Sequence, residues 1–369
     1  NMTNINGKFR HWSFHRQYLG KTGDDIEQVL QDIIGVYSAH PTAPLSLHSR
    51  MKSFEEQDFL RLDELKLAFR IPAMRLSIYM LHRETTHLVF SATVQPAPDP
   101  VWEKRYSQKN RYIPPQDYEN WKKEIVQLTN RPMSGAEIKE ATDIPDNLVK
   151  LVLNRMAYEG SLLRVGATSL RSNKISYVTT NAWAGNKFSR VDSDEALIWL
   201  AGEYLRAFGP ARIKDFQWWA GITAGRAKAA ISNQETMQID DDYVLLAKDL
   251  QEFESFTKPV QDNIAILPRW DTYTMGYAPD GRERLVSPDM QHHIYGSIGA
   301  TGGNALGAVL VNGKAHGSWD SRFAGNKMTV NLNMFEKPAP KIKKDIENEF
   351  NEIAALLKAK KLVVENSAG

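Results

Sequence analysis

Two stretches of the chain, residues 133–180 and 200–247, share one pattern of apolar and polar positions. In both, apolar residues first recur every three or four positions, as in an amphipathic helix, and later alternate as in a strand. The later stretch predicts a helix that ends before Gly209, a second helix, a short third helix capped by Thr223, and an antiparallel hairpin over 238–247. Helices followed by a two-stranded hairpin are the pattern of a winged helix-turn-helix unit.

The earlier stretch carries residues that favour helix starts. Ser134 and Glu137 have the spacing of a capping box, in which each side chain satisfies a free backbone N–H of the first turn. Pro145 begins the next helix, where its missing N–H costs nothing. That helix is predicted to end at Gly160, and residues 161–180 are predicted to form a strand, a basic turn and a second strand.

A third and less regular copy of the pattern precedes these two. Apolar spacing predicts helices over 26–35 and 59–69, and Ser53 and Glu56 again have the capping-box spacing. Alternation over 76–81 predicts a buried strand. We therefore expect three winged-helix units in one chain.

The last third of the sequence changes to strand periodicity. Asn312 and Gly313 stand between two apolar runs, and this dipeptide favours a type I′ hairpin because both turn positions need a positive φ angle. A last strand is predicted over 327–333 and an amphipathic helix over 340–360.

These elements predict an α+β fold of three tandem winged-helix units, followed by a small antiparallel β-barrel-like domain and a C-terminal helix. Residues 1–7 are predicted to be a loose start, and the proline-rich segment 95–100 a linker. The predicted domains are 8–95, 101–182, 190–258 and 259–365.

Composition restricts the class of protein only moderately. The 369 residues include no cysteine, which excludes disulfides, thiolate zinc sites and a cysteine nucleophile. The net charge of +2 means that a polyanion must be met by local basic patches. No apolar run approaches the ~20 residues that span a bilayer, and the N-terminus lacks the layout of a signal peptide, so we expect a cytoplasmic protein. We expect no cofactor and no metal, since His292 and His293 would point to different sides of an extended chain.

Six short motifs follow one another along the chain. They are RQYL at 16–19, IGV at 34–36 with Pro41, IPAMR at 71–75, FGPAR at 208–212, LPRWDTYTMG at 267–276, and GAVLVNG at 307–313 with GSW at 317–319. Together they resemble the winged-helix DNA-binding family that contains the AlkZ/YcaQ-type DNA glycosylases. The resemblance covers nearly the whole chain, in order.

The resemblance implies a C-shaped arrangement of the three units and the barrel, with a concave face that takes duplex DNA. Active members of that class excise alkylated bases or open interstrand crosslinks. We therefore expect double-stranded DNA as the partner, and a monomer that binds no membrane.

The resemblance also locates the candidate catalytic residues. In the glycosylases, the segment after the Gly-Val pair carries Gln-x-Gln or Gln-x-Asp, which positions water and stabilises the developing sugar cation. This chain has Tyr37, Ser38 and Ala39 there, followed by His40. If chemistry survives, a histidine can act as general base and a hydroxyl can hold a water; otherwise the tyrosine only packs and the histidine only precedes a helix. Asp271 is a further candidate, which either orients an arginine across the cleft or caps a turn.

Basic and polar side chains on the predicted helices and hairpins are candidates for DNA contact. The candidates are Arg70, Arg75, Lys150, Asn154, Arg164, Arg171, Lys174 and Arg226. Alternatively, these side chains form a solvated surface, and Arg70 and Arg75 form ion pairs with acids such as Asp63. A basic and aromatic segment at 102–112 has the composition of a nucleic-acid strap, or of a linker.

Three functions remain open from the sequence. The first is a DNA-binding protein of this glycosylase-like family that recognises duplex DNA, including damaged DNA, without efficient base excision. The second is an active monofunctional DNA glycosylase with a substituted site. The third is a winged-helix scaffold that binds protein, which the near-neutral net charge allows.

Overall fold

A computed structural model describes residues 2–96, 112–166, 168–296 and 305–367. The basic and aromatic segment at 102–111 and the linker residues 97–100 lie outside the described residues. Within these ranges, no helix is long and apolar enough to cross a membrane.

Helices and short strands alternate through the first two thirds of the chain, and longer strands follow. The helices are α1 Met2–Arg16, α2 Ile26–Asp32, α3 Ala43–His48, α4 Glu56–Glu64, α5 Thr86–Thr93, α6 Pro115–Leu128, α7 Gly135–Ala141, α8 Asp146–Tyr158, α9 Thr180–Ala184, α10 Ser193–Phe208, α11 Ile213–Ala220, α12 Ala224–Ser232, α13 Leu250–Ser255, α14 Gln291–Tyr295 and α15 Pro340–Leu356. The strands are β1 Val36–Tyr37, β2 Ala68–Pro72, β3 Ile78–His82, β4 Met133–Ser134, β5 Leu162–Gly166, β6 Ile175–Thr179, β7 Thr236–Asp240, β8 Tyr243–Leu246, β9 Ile264–Leu267, β10 Gly307–Val311, β11 Lys314–Ala324, β12 Lys327–Met334 and β13 Lys361–Asn366.

One six-stranded antiparallel sheet joins the first two predicted units. Its order is β1-β3-β2-β5-β6-β4. The junction is the pairing of Arg70 in β2 with Arg164 in β5. Residues on both sides of the predicted linker therefore share one sheet, which holds β1 beside the second unit.

The start signals of the second unit are confirmed. Ser134 Oγ accepts from the N–H of Glu137 at 3.2 Å, and the Glu137 carboxylate accepts from the N–H of Ser134 at 2.7 Å. Helix α8 begins directly after Pro145, and the chain leaves it at Gly160 with φ +80°. The predicted hairpin is the β5–β6 pair.

The third unit also follows its pattern. Helix α10 ends at Gly209, α11 ends at Gly221 in the left-handed conformation, and Thr223 Oγ1 accepts from the N–H of Arg226 at 3.4 Å to cap α12. Strands β7 and β8 then form a two-stranded sheet. Trp219 is fully buried in the core beneath these helices.

Two predictions for the first unit are wrong in detail. The helix expected over 59–69 ends at Glu64, because the chain turns at Lys66 with φ +54° and enters β2. The capping box does not use Ser53; instead the N–H of Glu55 donates to the Asp58 carboxylate at 2.8 Å. Acidic side chains one turn apart supply the same cap from a different register.

The C-terminal part forms a five-stranded sheet in the order β13-β12-β11-β10-β9. Asn312 and Gly313 turn between β10 and β11 with φ of +51° and +81°, which confirms the predicted hairpin. Helix α15 packs on the sheet through Phe350 against Trp319. The helix was predicted to be the last element, but β13 follows it and pairs parallel to β12. Within the described residues, the pairing runs from one edge strand to the other without closing.

One of the four apolar clusters in the described residues connects distant parts of the chain. It includes Phe14 of α1, Ile71 of β2, Leu205 of α10 and Leu310 of β10, all buried. This shared core fixes the sequence segment 35–41 against the segment that follows β9.

Candidate functional site

The backbone of residues 35–41, here called the motif segment, is set by one glycine. Gly35 has φ +76°, and a Cβ atom there would lie 2.5 Å from the carbonyl oxygen of Met80, so only glycine fits. The next residues form β1, in which Tyr37 pairs with Tyr79 of β3. The N–H of buried Ser38 still donates to the carbonyl oxygen of Ile78 at 2.8 Å, and the chain becomes exposed only at Ala39 and His40.

Four rings form an aromatic cluster around this segment: Tyr37, His40, Tyr79 and Trp270. Trp270 stacks on His40 with ring centroids 4.6 Å apart, and its centroid lies 5.3 Å from that of Tyr37. Tyr79 meets Tyr37 edge-on at 6.2 Å. Trp270 has φ +55°, which is rare for a bulky residue, so its contacts hold the ring in place. His40 is exposed, whereas Tyr37 is half-buried.

Both tyrosines of the cluster have raised pKa values. Burial raises the pKa of Tyr79, although Arg75 beside it partly opposes the shift. Burial, and then the neighbouring Tyr79, raises the pKa of Tyr37. Both phenols therefore stay protonated at neutral pH, where they can donate a hydrogen bond but cannot act as bases.

Ser38 is held by a buried ion pair. Its Oγ accepts from Nη1 of Arg70 at 2.8 Å, and the same guanidinium donates to both carboxylate oxygens of Asp63, at 2.6 and 3.2 Å. Arg70 is only 7% exposed. The structure thus places Arg70 in the ion pair with Asp63, which was one of the two roles the sequence left open.

Asp271 lies under the aromatic cluster in a second buried ion pair. Its oxygens accept from Nη1 and Nη2 of Arg50 at 2.8 and 2.9 Å, and one of them also accepts from the N–H of Tyr273 at 2.8 Å. Both side chains are fully buried. Asp271 therefore both binds an arginine and caps the turn at Tyr273, and the bidentate pair joins the turn after α3 to the Trp270 segment below the surface.

Arg75 borders a cavity on the motif segment. Its Nη1 donates to the carbonyl oxygen of Trp219 at 2.8 Å, and the guanidinium lies 4.3 Å from the ring centre of Trp218. The cavity, of about 200 Å³, is bounded by Arg75 together with Tyr37 and Trp270.

Two further clefts share His40. A small one is lined by Ser38, Arg70 and Lys174 as well as His40. The larger one, of about 440 Å³, lies between Trp270, the β5–β6 loop and the C-terminal sheet.

The β5–β6 loop reaches the β11–β12 hairpin through one side chain. Nη2 of Arg171 donates to the carbonyl oxygen of Gly325 at 3.0 Å, and its guanidinium lies 4.0 Å from the ring centre of Phe323. This loop therefore connects the second unit to the C-terminal sheet beside the larger cleft.

The remaining predicted contact residues, on α8, β5 and α12, lie away from the motif segment. Lys150 is exposed on α8, and Asn154 accepts from Nη2 of Arg164 at 2.9 Å. Arg226 instead donates to Ser193 Oγ at 2.9 Å and pairs with Asp194 at 3.4 Å. None of these four candidates lines the cavities described above.

Sequence reasoning did not single out Trp270, Tyr79 or Arg50 as part of the site. Trp270 lies within a family motif, Tyr79 within a predicted strand, and Arg50 at the end of residues 44–50, which the sequence predicts as a helix. Contacts between residues over 200 positions apart, such as Arg50 and Asp271, leave no local periodicity to detect.

One group outside the site has ligand-like spacing for a metal. His48, Glu349 and Glu352 bring three donor atoms within 4.8 Å of one another. Lys21 Nζ, however, lies 2.6 Å from each glutamate, so an ammonium group already provides the positive charge.

The two adjacent histidines are arranged differently from the prediction. His292 and His293 lie in α14 with ring centroids 3.9 Å apart, rather than on opposite sides of a strand. Helical backbone brings consecutive side chains closer in direction than extended backbone does.

Both the sequence and the fold are similar to known DNA glycosylases. A family model described as DNA glycosylase AlkZ-like matches residues 30–356. The fold is similar to a solved structure described as Streptomyces sahachiroi DNA glycosylase AlkZ, with a TM-score of 0.76 and 18% identity, covering 98% of this chain and 99% of that chain. No curated protein matches the sequence.

Proposed function

This chain belongs to the AlkZ-like DNA glycosylase family, and we propose that it binds duplex DNA beside the motif segment without efficient base excision. In this proposal, helices α7 and α8 with the β5–β6 hairpin, and α10 to α12 with the β7–β8 hairpin, act as winged-helix units. The first unit, with α2 to α4 and β1 to β3, supplies the motif segment. The domain limits predicted from the sequence remain part of this proposal.

The observation that carries the proposal is the chemistry of positions 37 and 39. The family pattern has polar carboxamide or carboxylate groups there, whereas this chain has a tyrosine packed against Trp270 and an alanine. The Tyr37 phenol is protonated at neutral pH, and Ser38 Oγ is bonded to Arg70. Hydrolysis of a glycosidic bond needs a group that positions and activates water, and neither residue is suited to that role.

The DNA contacts that we propose come from the second unit. Lys150, Arg164, Arg171 and Lys174, with Asn154, are placed on α8 and its hairpin, where cations can meet phosphate oxygens. Arg75, which borders the cavity beside the motif segment, is a further proposed DNA contact. Arg70 and Asp271 hold the site through their intramolecular bonds, whereas the bond of Arg226 to Ser193 joins α12 to the start of α10; all three are structural roles.

Two measurements on one protein sample test the proposal. Binding of a fluorescein-labelled duplex is followed by anisotropy from 50 to 200 mM salt, and release of free base is followed on a duplex that carries one N-alkylated purine. We expect binding that weakens steeply with salt, since phosphate contacts release counterions. We expect no base release above that of DNA alone.

A second candidate function is an active glycosylase with a substituted site. One observation favours it: the His40 imidazole is exposed, stacked on Trp270, and borders both clefts. A histidine in such a position can accept a proton from water. Base release that the His40→Ala variant abolishes would establish this function in place of the first.

The third candidate, a scaffold that binds protein, has only the small net charge of +2 in its favour. It predicts duplex binding that is weak and insensitive to salt. The anisotropy titration therefore separates it from the other two.

A further inference from the structure

The C-terminal sheet has an open edge at β13. This strand pairs with β12 on one side, and no strand of the described residues pairs with its other side. The parallel pairing with β12 runs without a shift from Lys361 opposite Lys327 to Asn366 opposite Leu332. Edge strands are commonly protected by proline, by a bulge or by a short length, and the six residues of β13 have none of these features.

The backbone hydrogen bonds show which groups of β13 point to this open edge. The N–H groups of Lys361 and Ser367 donate to the carbonyl oxygens of Asn326 and Leu332 in the neighbouring segment. In a parallel pair, both backbone groups of one residue point to the same neighbour, and those of the next residue point away from it. The odd-numbered residues of β13 therefore bond to the β12 side, and the backbone groups of its even-numbered residues point to the open edge.

The side chains of β13 complement those of an antiparallel copy. Lys361 and Glu365 have opposite charges and lie on the same face of the strand, with Val363 midway between them. Both charged side chains are exposed. Lys361 forms no ion pair with any described residue, and Glu365 has the exposed Arg322 at 3.3 Å. A two-fold axis at Val363 sets each lysine opposite the glutamate of the other copy.

The backbone and the charges favour the same register. Leu362 and Val364 pack against the apolar cluster that contains Phe350 of α15. Opposing residue numbers must be both even or both odd, since otherwise side chains on the α15 face would lie opposite side chains on the other face. A centre at Val363 places Leu362 opposite Val364, so that four N–H to C=O bonds join the copies. A centre at residue 362 or 364 sets a charged side chain opposite Val363 instead.

We propose that β13 pairs antiparallel with β13 of a second copy of this chain, around a two-fold axis at Val363. The two five-stranded sheets then form one continuous sheet. One strand pair is smaller than the ~1,200–2,000 Å² interface of a stable complex, so the expected dissociation constant is on the order of 10–100 µM. The monomer expected from the sequence then describes dilute solutions. This dimer does not depend on DNA binding.

Charge reversal tests the contact between Lys361 and Glu365. Sedimentation velocity of the full chain, from about 5 to 300 µM, follows the monomer–dimer equilibrium on both sides of the expected constant. Lys361→Glu and Glu365→Lys each replace two attractive contacts with two repulsive ones. Each should weaken the dimer about tenfold, because opposite charges across a strand pair stabilise it and like charges destabilise it.

Mixing the two variants gives a positive result that a folding defect cannot produce. In the mixed dimer, both glutamates of the Lys361→Glu chain face lysines of the Glu365→Lys chain. The mixture should therefore associate within about threefold of the wild type. Lys344→Glu makes the same charge change at an exposed position of α15 and is the matched control. It should leave the dissociation constant within about twofold, because salt screens distant exposed charges.

A single cysteine measures the register independently, because the chain has no cysteine of its own. In the proposed dimer, Val363→Cys lies opposite its own copy in a non-hydrogen-bonded pair, whose Cα separation of about 4.5 Å suits a disulfide. With oxidised glutathione, this variant should form a covalent dimer on a non-reducing gel. Asn366→Cys, exposed on the same strand, is the control. Its copy lies six residues away, about 20 Å along the strand, so it should stay uncrosslinked.

A chain that remains monomeric over the whole concentration range overturns the proposal. A dimer that both charge reversals leave intact also overturns it, since the copies would then meet at another surface. Failure of the mixed variants to associate, or equal crosslinking of Asn366→Cys and Val363→Cys, contradicts the register and therefore the interface.

Discussion

The buried pair of Arg50 and Asp271 joins the Trp270 segment to the turn that follows α3. Two hydrogen bonds below 3 Å join the side chains, and both are fully buried. Removing one partner leaves the other charged and unpaired inside the protein, which costs more than the pair itself contributes.

We therefore expect Asp271→Asn to lower the free energy of unfolding by about 3–5 kcal/mol, since the Arg50 charge loses its counterion. Urea unfolding monitored by circular dichroism measures the difference. The matched control is Glu365→Gln, which breaks the exposed pair with Arg322 and should change the free energy by less than about 1 kcal/mol. Similar losses in both variants would contradict the structural role of Asp271.

A single buried side chain, His48, makes the free energy of unfolding depend on pH. Burial, and then the nearby Lys21, lower its pKa to about 4, while Glu352 acts in the opposite direction. A histidine whose pKa is lower in the folded state binds its proton more readily when unfolded. Its contribution to stability is thus complete above the unfolded pKa of about 6.5 and is lost as pH falls towards 4.

The expected result is a decrease of about 3 kcal/mol in unfolding free energy between pH 7 and pH 4 that His48→Gln lacks. Urea titrations of both proteins across this range give the difference, because all other groups titrate alike in the two. Parallel curves for the wild type and the variant would show that His48 does not carry the effect.

At the scale of elements, helix caps test whether local rules act as the sequence indicated. Ser134→Ala removes the acceptor for the N–H of Glu137 at the start of α7 and should cost about 1 kcal/mol of unfolding free energy. Ser53→Ala serves as control, since the structure assigns the α4 cap to Glu55 and Asp58. Chemical denaturation of both variants decides; a larger loss for Ser53→Ala would reverse the assignment.

Local rules predicted the elements that depend on neighbours in sequence. The cap at Ser134, the break at Gly209 and the turn at Asn312 are confirmed, because each depends on a few adjacent residues. Helix α1 contradicts the loose start predicted for residues 1–7, because its polar residues obscure the apolar ones, such as Phe9 and Trp12, that are buried.

Long-range contacts explain what the sequence did not show. The pairing of Arg70 with Arg164 merges two predicted units into one sheet, and no local pattern indicates it. In the candidate site, the family motifs located Tyr37 and Asp271, but the aromatic cluster depends on the contact between Tyr37 and Trp270, which lie more than 200 residues apart in the chain. Only tertiary packing brings these segments together.

The net charge of the whole molecule is only +2, so DNA must be bound by a local basic patch. The proposed patch lies on the second unit. Lys150 and Lys174 are both exposed there. We expect the double variant Lys150→Ala/Lys174→Ala to reduce the slope of log K against log salt by about 2, one for each lost phosphate contact. Fluorescence anisotropy titrations measure the slope. Lys343→Ala, on the exposed face of α15, should leave it unchanged; an equal effect there would contradict a local contact surface.

We propose that this family member binds duplex DNA without efficient base excision. Its most direct test is release of free base under single-turnover conditions, with protein in excess over a duplex that carries one N-alkylated purine, beside the His40→Ala variant. We expect that neither protein releases base faster than the DNA does alone, although both bind the duplex. Release by the wild type that His40→Ala abolishes would contradict it and make this chain an active glycosylase.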